Sequence, residues 1–373
     1  MFERAWPILL AVAACGTSAP STPDGGVDAQ AADATSTDAG ASDVSVADAA
    51  ADAPSEAAVA IYWGAIEDGP DTYDFYYPDA CPWDNAPWGN TGNTMDEFDS
   101  NAGKKISVLG WGQPPPWQQT TVYGGTFDIV RNRGAYTMLT IDPGTATLAD
   151  VASGKYDASI TTWANNVKAY GHPFFMRFAH EMNGNWYAWG QKPTDFVAAW
   201  KHFHDVVTGA GATNVTWVFD PNLDIGPYKI ADYWPGDAYV DWMGLDGYNK
   251  GATTASFASL YGPSYTQLQA LSQKPIMICE IASLEYGAGE KGAWIKDVLE
   301  TELPTKFPQI RAFLWFNWRF YETDNNVTGY KPFPIESSAS SLSAFAEGIA
   351  SPVYVAGGSF TLATGLSKIA PPN

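Results

Sequence analysis

From Val59 onward the chain alternates two patterns: short, continuous apolar runs, and longer stretches in which apolar residues return every three or four positions. The runs are Ala60–Ala65, Ile106–Trp111, Tyr136–Ile141, Phe174–Phe178, Val215–Phe219, Trp242–Leu245, Ile276–Cys279 and Ala312–Phe316. A short run without polar alternation suits a strand buried on both faces, as in a parallel sheet covered by helices. Between the runs, Thr194–Val207 sets Phe196, Trp200, Phe203 and Val207 on one helical face, and Ser341–Ile349 does the same with Leu342, Phe345 and Ile349. Those faces read as core packing. Eight strand–helix units predict a (β/α)8 TIM barrel, with an open doubly wound sheet as the weaker alternative. No glycine-rich phosphate fingerprint follows the first run, which counts against a dinucleotide fold.

The pattern is absent before residue 58. Residues 1–15 combine Arg4, an apolar run from Ile8 to Ala14 and Cys15, and look like a bacterial lipoprotein signal with Val12–Cys15 as the lipobox. The expectation is an exported chain, either a cell-surface or outer-membrane lipoprotein held by lipid on Cys15 or a secreted protein. Residues 16–57 contain seven Asp and one Glu but no Lys, Arg or aromatic residue, so they cannot bury enough apolar area to offset chain entropy. They are expected to be a disordered linker. The barrel is placed at 58–351, with 352–373 as a C-terminal tail.

Composition narrows the partners. A formal charge of −21 argues against nucleic acid, which asks for a basic stripe, while a neutral polysaccharide is indifferent to it. Aromatic residues make up 14% of the chain; flat rings suit sugar faces and cores alike. The loop Glu67–Asn101 gathers Tyr73, Tyr76, Tyr77, Trp83 and Trp88, which could wall a cleft or pack as a cap. Cys81 lies in it and Cys279 ends the seventh run; an exported chain permits a disulfide, but nothing in the sequence pairs them.

Candidate chemistry sits where apolar runs end. The fourth run leads through Arg177 into His180 and Glu181, followed by an Asn183-Gly184 turn and Trp186. The seventh runs directly into Glu280, 99 residues after Glu181. In a parallel barrel both strand ends open on one mouth, where active sites are built. Two facing carboxyls are what glycoside hydrolysis needs: one protonates the leaving oxygen, and the other attacks or activates water. A zincin would need a second His three residues after Glu181, where Gly184 stands. His172, His202 and His204 offer no alternative ligand set, and no catalytic metal or other cofactor is expected.

Phe174–Trp189, Val218–Asn222, Tyr233–Asn249, Pro275–Ser283, Leu314–Trp318 and Phe333–Phe345 together resemble glycoside hydrolase family 26, over roughly Ala60 to Ile349. The resemblance implies a (β/α)8, retaining, endo-acting hydrolase of β-linked polysaccharides. On matching positions it makes Glu181 the acid/base and Glu280 the nucleophile. It has Arg177 hold a carboxylate ionised, His180 bond to substrate or near the nucleophile, and Tyr248 donate to Glu280. Asp246 would fix a sugar hydroxyl or orient a neighbour; Trp186 and Trp315 would stack on sugars; Asn222 would support the site. Family mannanases carry a Trp-His pair at the third strand end, where this chain has Asp142, and Ala152–Trp163 looks more like the branch containing mixed-linkage glucanases. β-Mannan is the first substrate expected and mixed-linkage β-1,3-1,4-glucan the second. The expected partners are thus a β-linked polysaccharide and, through acylated Cys15, a membrane, with the chain a monomer. A catalytically inactive glycan-binding protein is the non-enzyme alternative, disfavoured because both carboxylates are present.

Overall fold

The computed structural model describes residues 59–66, 95–122, 124–223, 226–250, 255–285, 287–324 and 327–373. The signal with Cys15, the linker, most of the aromatic loop and Cys81 lie outside them. The last residues assigned to that loop instead begin a helix, α1 (Met95–Ala102), which buries Met95, Phe98 and Ala102.

Eight parallel strands close on themselves: β1 (Ile61–Ile66), β2 (Val108–Gln113), β3 (Tyr136–Ile141), β4 (Phe174–Phe178), β5 (Val215–Phe219), β6 (Trp242–Asn249), β7 (Ile276–Ser283) and β8 (Ile310–Phe316). Pairing of β8 with β1 completes the barrel. The other helices are α2 (Gly124–Asn132), α3 (Leu148–Ala152), α4 (Asp157–Tyr170), α5 (Pro193–Gly209), α6 (Phe257–Leu271), α7 (Glu290–Asp297), α8 (Leu303–Lys306) and α9 (Ala339–Ile349). In α5 the buried residues Phe196, Ala199, Trp200, Phe203 and Val207 form the stripe the periodicity predicts, and Pro193 opens the helix where a missing N–H costs nothing. A hairpin, β9 (Arg319–Asp324) with β10 (Val327–Pro332), follows β8.

Strands β6 and β7 run four residues past the ends that hydrophobicity predicts, because polar residues there stay in register inside the barrel. Leu245 pairs with Ile278, but Asp246 pairs with Glu280, so Cys279 is an extra residue on β7. Since a slip of one residue turns a side chain to the other face of a sheet, this bulge brings Asp246 and Glu280 to the same side.

The opposite end is closed by the C-terminal segment. Within it, β11 (Tyr354–Val355) pairs with the start of β1. Further on, the Ala363 N–H donates to the Tyr136 hydroxyl (2.8 Å), the Ile369 N–H to Thr216 Oγ1 (2.9 Å), and the Trp242 indole to the Ile369 carbonyl (2.9 Å). Arg311 donates from Nε to the Ala60 carbonyl (2.9 Å) and from Nη2 to the Pro372 carbonyl. The strap lies close: a Cβ on Gly357 would meet the Ile106 carbonyl at 2.2 Å, so only glycine fits.

Candidate functional site

Arg177 is the centre of the mouth. Its guanidinium is buried and donates to four groups from four strands or strand ends: Nε to Thr140 Oγ1 (2.7 Å), Nη1 to Asp220 (2.8 Å) and Asp246 (2.9 Å), and Nη2 to Glu280 Oε1. A planar fork with fixed donors suits this work in a way a lysine could not. Surrounding anions hold Arg177 well above its ordinary range against the opposing effect of burial.

Glu280 accepts on both oxygens, from Arg177 and from the Tyr248 hydroxyl. One of these donors is a charged guanidinium, so the contact is a charge-assisted one. Tyr248 is held in turn by Phe333 and Phe316, with ring centroids at 5.3 and 5.5 Å. Phe333 is fixed from behind by Lys291, whose three N–H groups are shared among the carbonyls of Pro332, Phe333 and Pro334 and Ser337 Oγ.

Glu181 leaves β4 differently. Ala179 and Glu181 have φ of 49° and 51°, left-handed conformations that cost a non-glycine residue about 1 kcal/mol or more each. The bend is pinned by the Glu181 N–H on the Asp220 carbonyl (2.8 Å), and it turns the carboxyl into the mouth. There Oε2 accepts from the Trp186 indole (2.6 Å) and Oε1 from Asn222 Nδ2. Burial, then the charge of Glu280, push the Glu181 carboxyl above the usual range; His180, Asn222 and Trp186 oppose this. Asn222 is itself fixed by Asn183, which accepts its N–H (2.9 Å) and donates to its carbonyl (2.8 Å).

His180 is buried, with Nδ1 2.9 Å from Asp142 Oδ1 and Nε2 3.3 Å from the Tyr187 hydroxyl. Burial and Arg177 press its pKa down, but Asp142 and more distant Glu280 outweigh them and it ends above its ordinary value. Asp142, 16% exposed, is therefore a partner of His180 as well as a group at the cleft.

Two expectations change. Trp315 is no sugar platform: it is 1% exposed, packs on Phe345 of α9 and Trp294 of α7, and donates to the Phe333 carbonyl. The strand alternation turns it outward to the helices, while its neighbour Phe316 packs on Tyr248 at the mouth. Asp246 is fully buried on Arg177, so of its two expected roles only the orienting one has access to a partner. Trp186 is partly exposed, but its indole is engaged by Glu181.

Asp220 was missed as an individual residue, although it follows an apolar run directly, the same signal that marks Glu280. Lys291 and Phe333 carry no such mark, since only the tertiary fold brings them behind Tyr248. Among the described residues two triads come close enough to share an ion, His180–Asp246–Glu280 and Asp220–Asp246–Cys279. Arg177 already lies on their carboxylates, so we assign no metal ligand. Cys279 is a buried free thiol.

Residues 138–320 match the family model described as glycosyl hydrolase family 26. Endoglucanase H of Acetivibrio thermocellus is 32% identical over 276 residues, covering 69% of this chain and 29% of that protein. The mannan endo-1,4-beta-mannosidase of Bacillus subtilis strain 168 is 29% identical over 157 residues, covering 39% of this chain and 40% of that one. The chain thus spans well under half the length of either relative. In fold, a GH26 beta-mannanase from Bacteroides ovatus superposes with a TM-score of 0.53 at 19% identity, covering 84% of this chain and 94% of that one. With the motif order, the closed barrel and the family model in agreement, the chain belongs to glycosyl hydrolase family 26.

Proposed function

We propose that this chain is a retaining endo-glycosidase that cleaves internal β-1,4 bonds of a plant-type polysaccharide. One observation carries the reading: the two mouth carboxyls have opposite surroundings, Glu280 between a guanidinium and a phenol, Glu181 buried beside a negative charge. A carboxyl raised by burial and a neighbouring charge suits the proton donor, and one held between a guanidinium and a phenol suits the nucleophile. Glu181 protonates the glycosidic oxygen as Glu280 attacks the anomeric carbon, giving a glycosyl-enzyme; Glu181, now ionised, takes a proton from the water that hydrolyses it. Arg177 and Tyr248 hold Glu280 in place. Trp186 and Asn222 aim Glu181.

β-Mannan is the substrate named for several relatives, the B. subtilis mannosidases among them, and is the first to test. A second reading, mixed-linkage β-glucan, is supported by Asp142 in place of the Trp-His pair and by the longer match to an endoglucanase. Sugars that differ in one hydroxyl are separated strongly by a site built to bond it. The test is reducing-end release from mannan, glucomannan, mixed-linkage glucan, cellulose and xylan, with the first-formed anomer read by NMR. Release from none, or an inverted product, would remove the proposal.

A further inference from the structure

Three carboxylates share the guanidinium of Arg177: Asp220 and Asp246 on Nη1 and Glu280 on Nη2. All are 3% exposed or less. Were all three ionised, the four groups would carry a net charge of minus two in a place without water's screening, which is strongly unfavourable. The second oxygens add to the difficulty: Asp220 Oδ1 and Asp246 Oδ1 are both buried and accept from no N–H or O–H group, and the Cys279 thiol beside Asp220 is a weak donor that also reaches the Met277 carbonyl (3.8 Å). A buried carboxylate oxygen without a donor keeps its full desolvation penalty. Glu280 is different, since both of its oxygens are served.

The local geometry shows a way out. Ligating oxygens of Asp220 and Asp246 lie within 4.8 Å of each other and of Cys279 Sγ. Space for the approach comes from Gly244, two residues before Asp246 on β6, where a Cβ would stand 2.5 Å from Asp220 Oδ1. We infer that Asp220 and Asp246 hold one proton between them, one acting as a carboxylic acid that donates to the other. A single hydrogen then satisfies two orphaned oxygens and removes one negative charge.

This rests on the reading of Glu280 as nucleophile and adds positioning roles for Asp220 and Asp246. With one proton in the pair, Arg177 faces a single net charge there and its Nη2 edge serves Glu280 alone. The groups that face the pair are Arg177, His180 and Glu181 from β4 and the turn after it, Glu280 and the Cys279 thiol from β7, Tyr248 from β6 and Tyr261 from α6. Burial first, then the neighbouring carboxylates, raise Asp246 well above the usual range, and burial raises Asp220.

The experiment is infrared spectroscopy of the protonated-carboxyl carbonyl stretch at pH about 8, above the range in which Asp99, pushed up to about 6 by burial, takes up a proton. The wild-type chain is expected to show a band that shifts when aspartate carboxyl carbons are 13C-labelled, and Asp220→Asn and Asp246→Asn should each abolish it. Absence of an aspartate-dependent band, or its survival in either variant, overturns the shared proton. The labelling result stands without the variants should one of them fail to fold. The readout is also independent of turnover: a band in a chain that cleaves no glycan would sink the functional reading and leave the proton in place.

Discussion

The two ends of this barrel are built on opposite principles. At the mouth, charges are buried together around Arg177 and the backbone is bent into left-handed conformations at Ala179 and Glu181. At the floor, the C-terminal strap meets strand starts through hydrogen bonds made by its backbone, Lys368 adds an ion pair to Asp241, and Phe360 packs on Tyr62 and Tyr136 at 5.2 and 5.7 Å. Strain and the burial of like charges oppose folding, whereas hydrogen bonds and ring contacts favour it. Substitutions at the mouth should therefore cost activity without stability, and those at the floor stability without activity.

The largest effect expected is from Glu280→Ala, which should lower kcat/KM by about 10^4-fold or more and leave no glycosyl-enzyme in mass spectra with an activated 2-fluoroglycoside. Its melting temperature should stay near that of wild type. A large fall in stability would break the contrast between the ends.

Glu181→Ala should cost roughly 10^2- to 10^4-fold on polysaccharide but spare substrates with good leaving groups, and azide should speed their turnover by attacking without base assistance. Equal losses on both substrate types without azide rescue would mean that the two roles are exchanged or absent.

At the floor, deleting residues 357–373 removes bonds to Tyr136, Thr216, Trp242 and Arg311, and at about 1 kcal/mol each with lost packing the cost is about 5 kcal/mol. Denaturation midpoints should fall sharply, while kcat per folded molecule at low temperature stays close to wild type. A proportionate loss of kcat would show that the strap shapes the mouth.

The smallest effect sharpens the mouth's side of the contrast. Glu181 has a folded-state pKa above its unfolded one, so the stability it contributes is present below the unfolded pKa and lost as pH rises through the folded one. Glu181→Gln, neutral at every pH, should therefore melt a few degrees above wild type at pH about 8 and approach it at pH about 4. In wild type, kcat/KM should fall on the alkaline side as Glu181 loses the proton it must donate. Stability curves that run parallel across pH would contradict the environment assigned to Glu181.

Much of the barrel was legible because strands buried on both faces leave continuous apolar runs, as at Phe174–Phe178 and Val215–Phe219, which the structure matches end for end. Where inward residues turn polar the signal fails, and the last four residues of β6 and of β7 were missed for that reason. Glu181 and Glu280 stood out because a charge ending an apolar run has few structural explanations. Trp315 misled for the converse reason: an aromatic residue at a strand end faces the mouth or the helices according to a register that one bulge can change, and sequence does not show bulges. The support behind Tyr248 was illegible altogether, since Lys291 and Phe333 meet only through the closed fold.

Arg311 carries a practical consequence. By holding the carbonyls of Ala60 and Pro372 on one guanidinium, it brings the residues before β1 and the last residues of the strap together on the face away from the mouth. Ends so placed favour circular permutation: a short Gly/Ser bridge from residue 372 to residue 60 should close the chain with little strain, freeing any surface loop to carry new termini. The same placement suits immobilisation, because a bead coupled beside residue 60 or residue 372 sits beneath the barrel and leaves the mouth unobstructed.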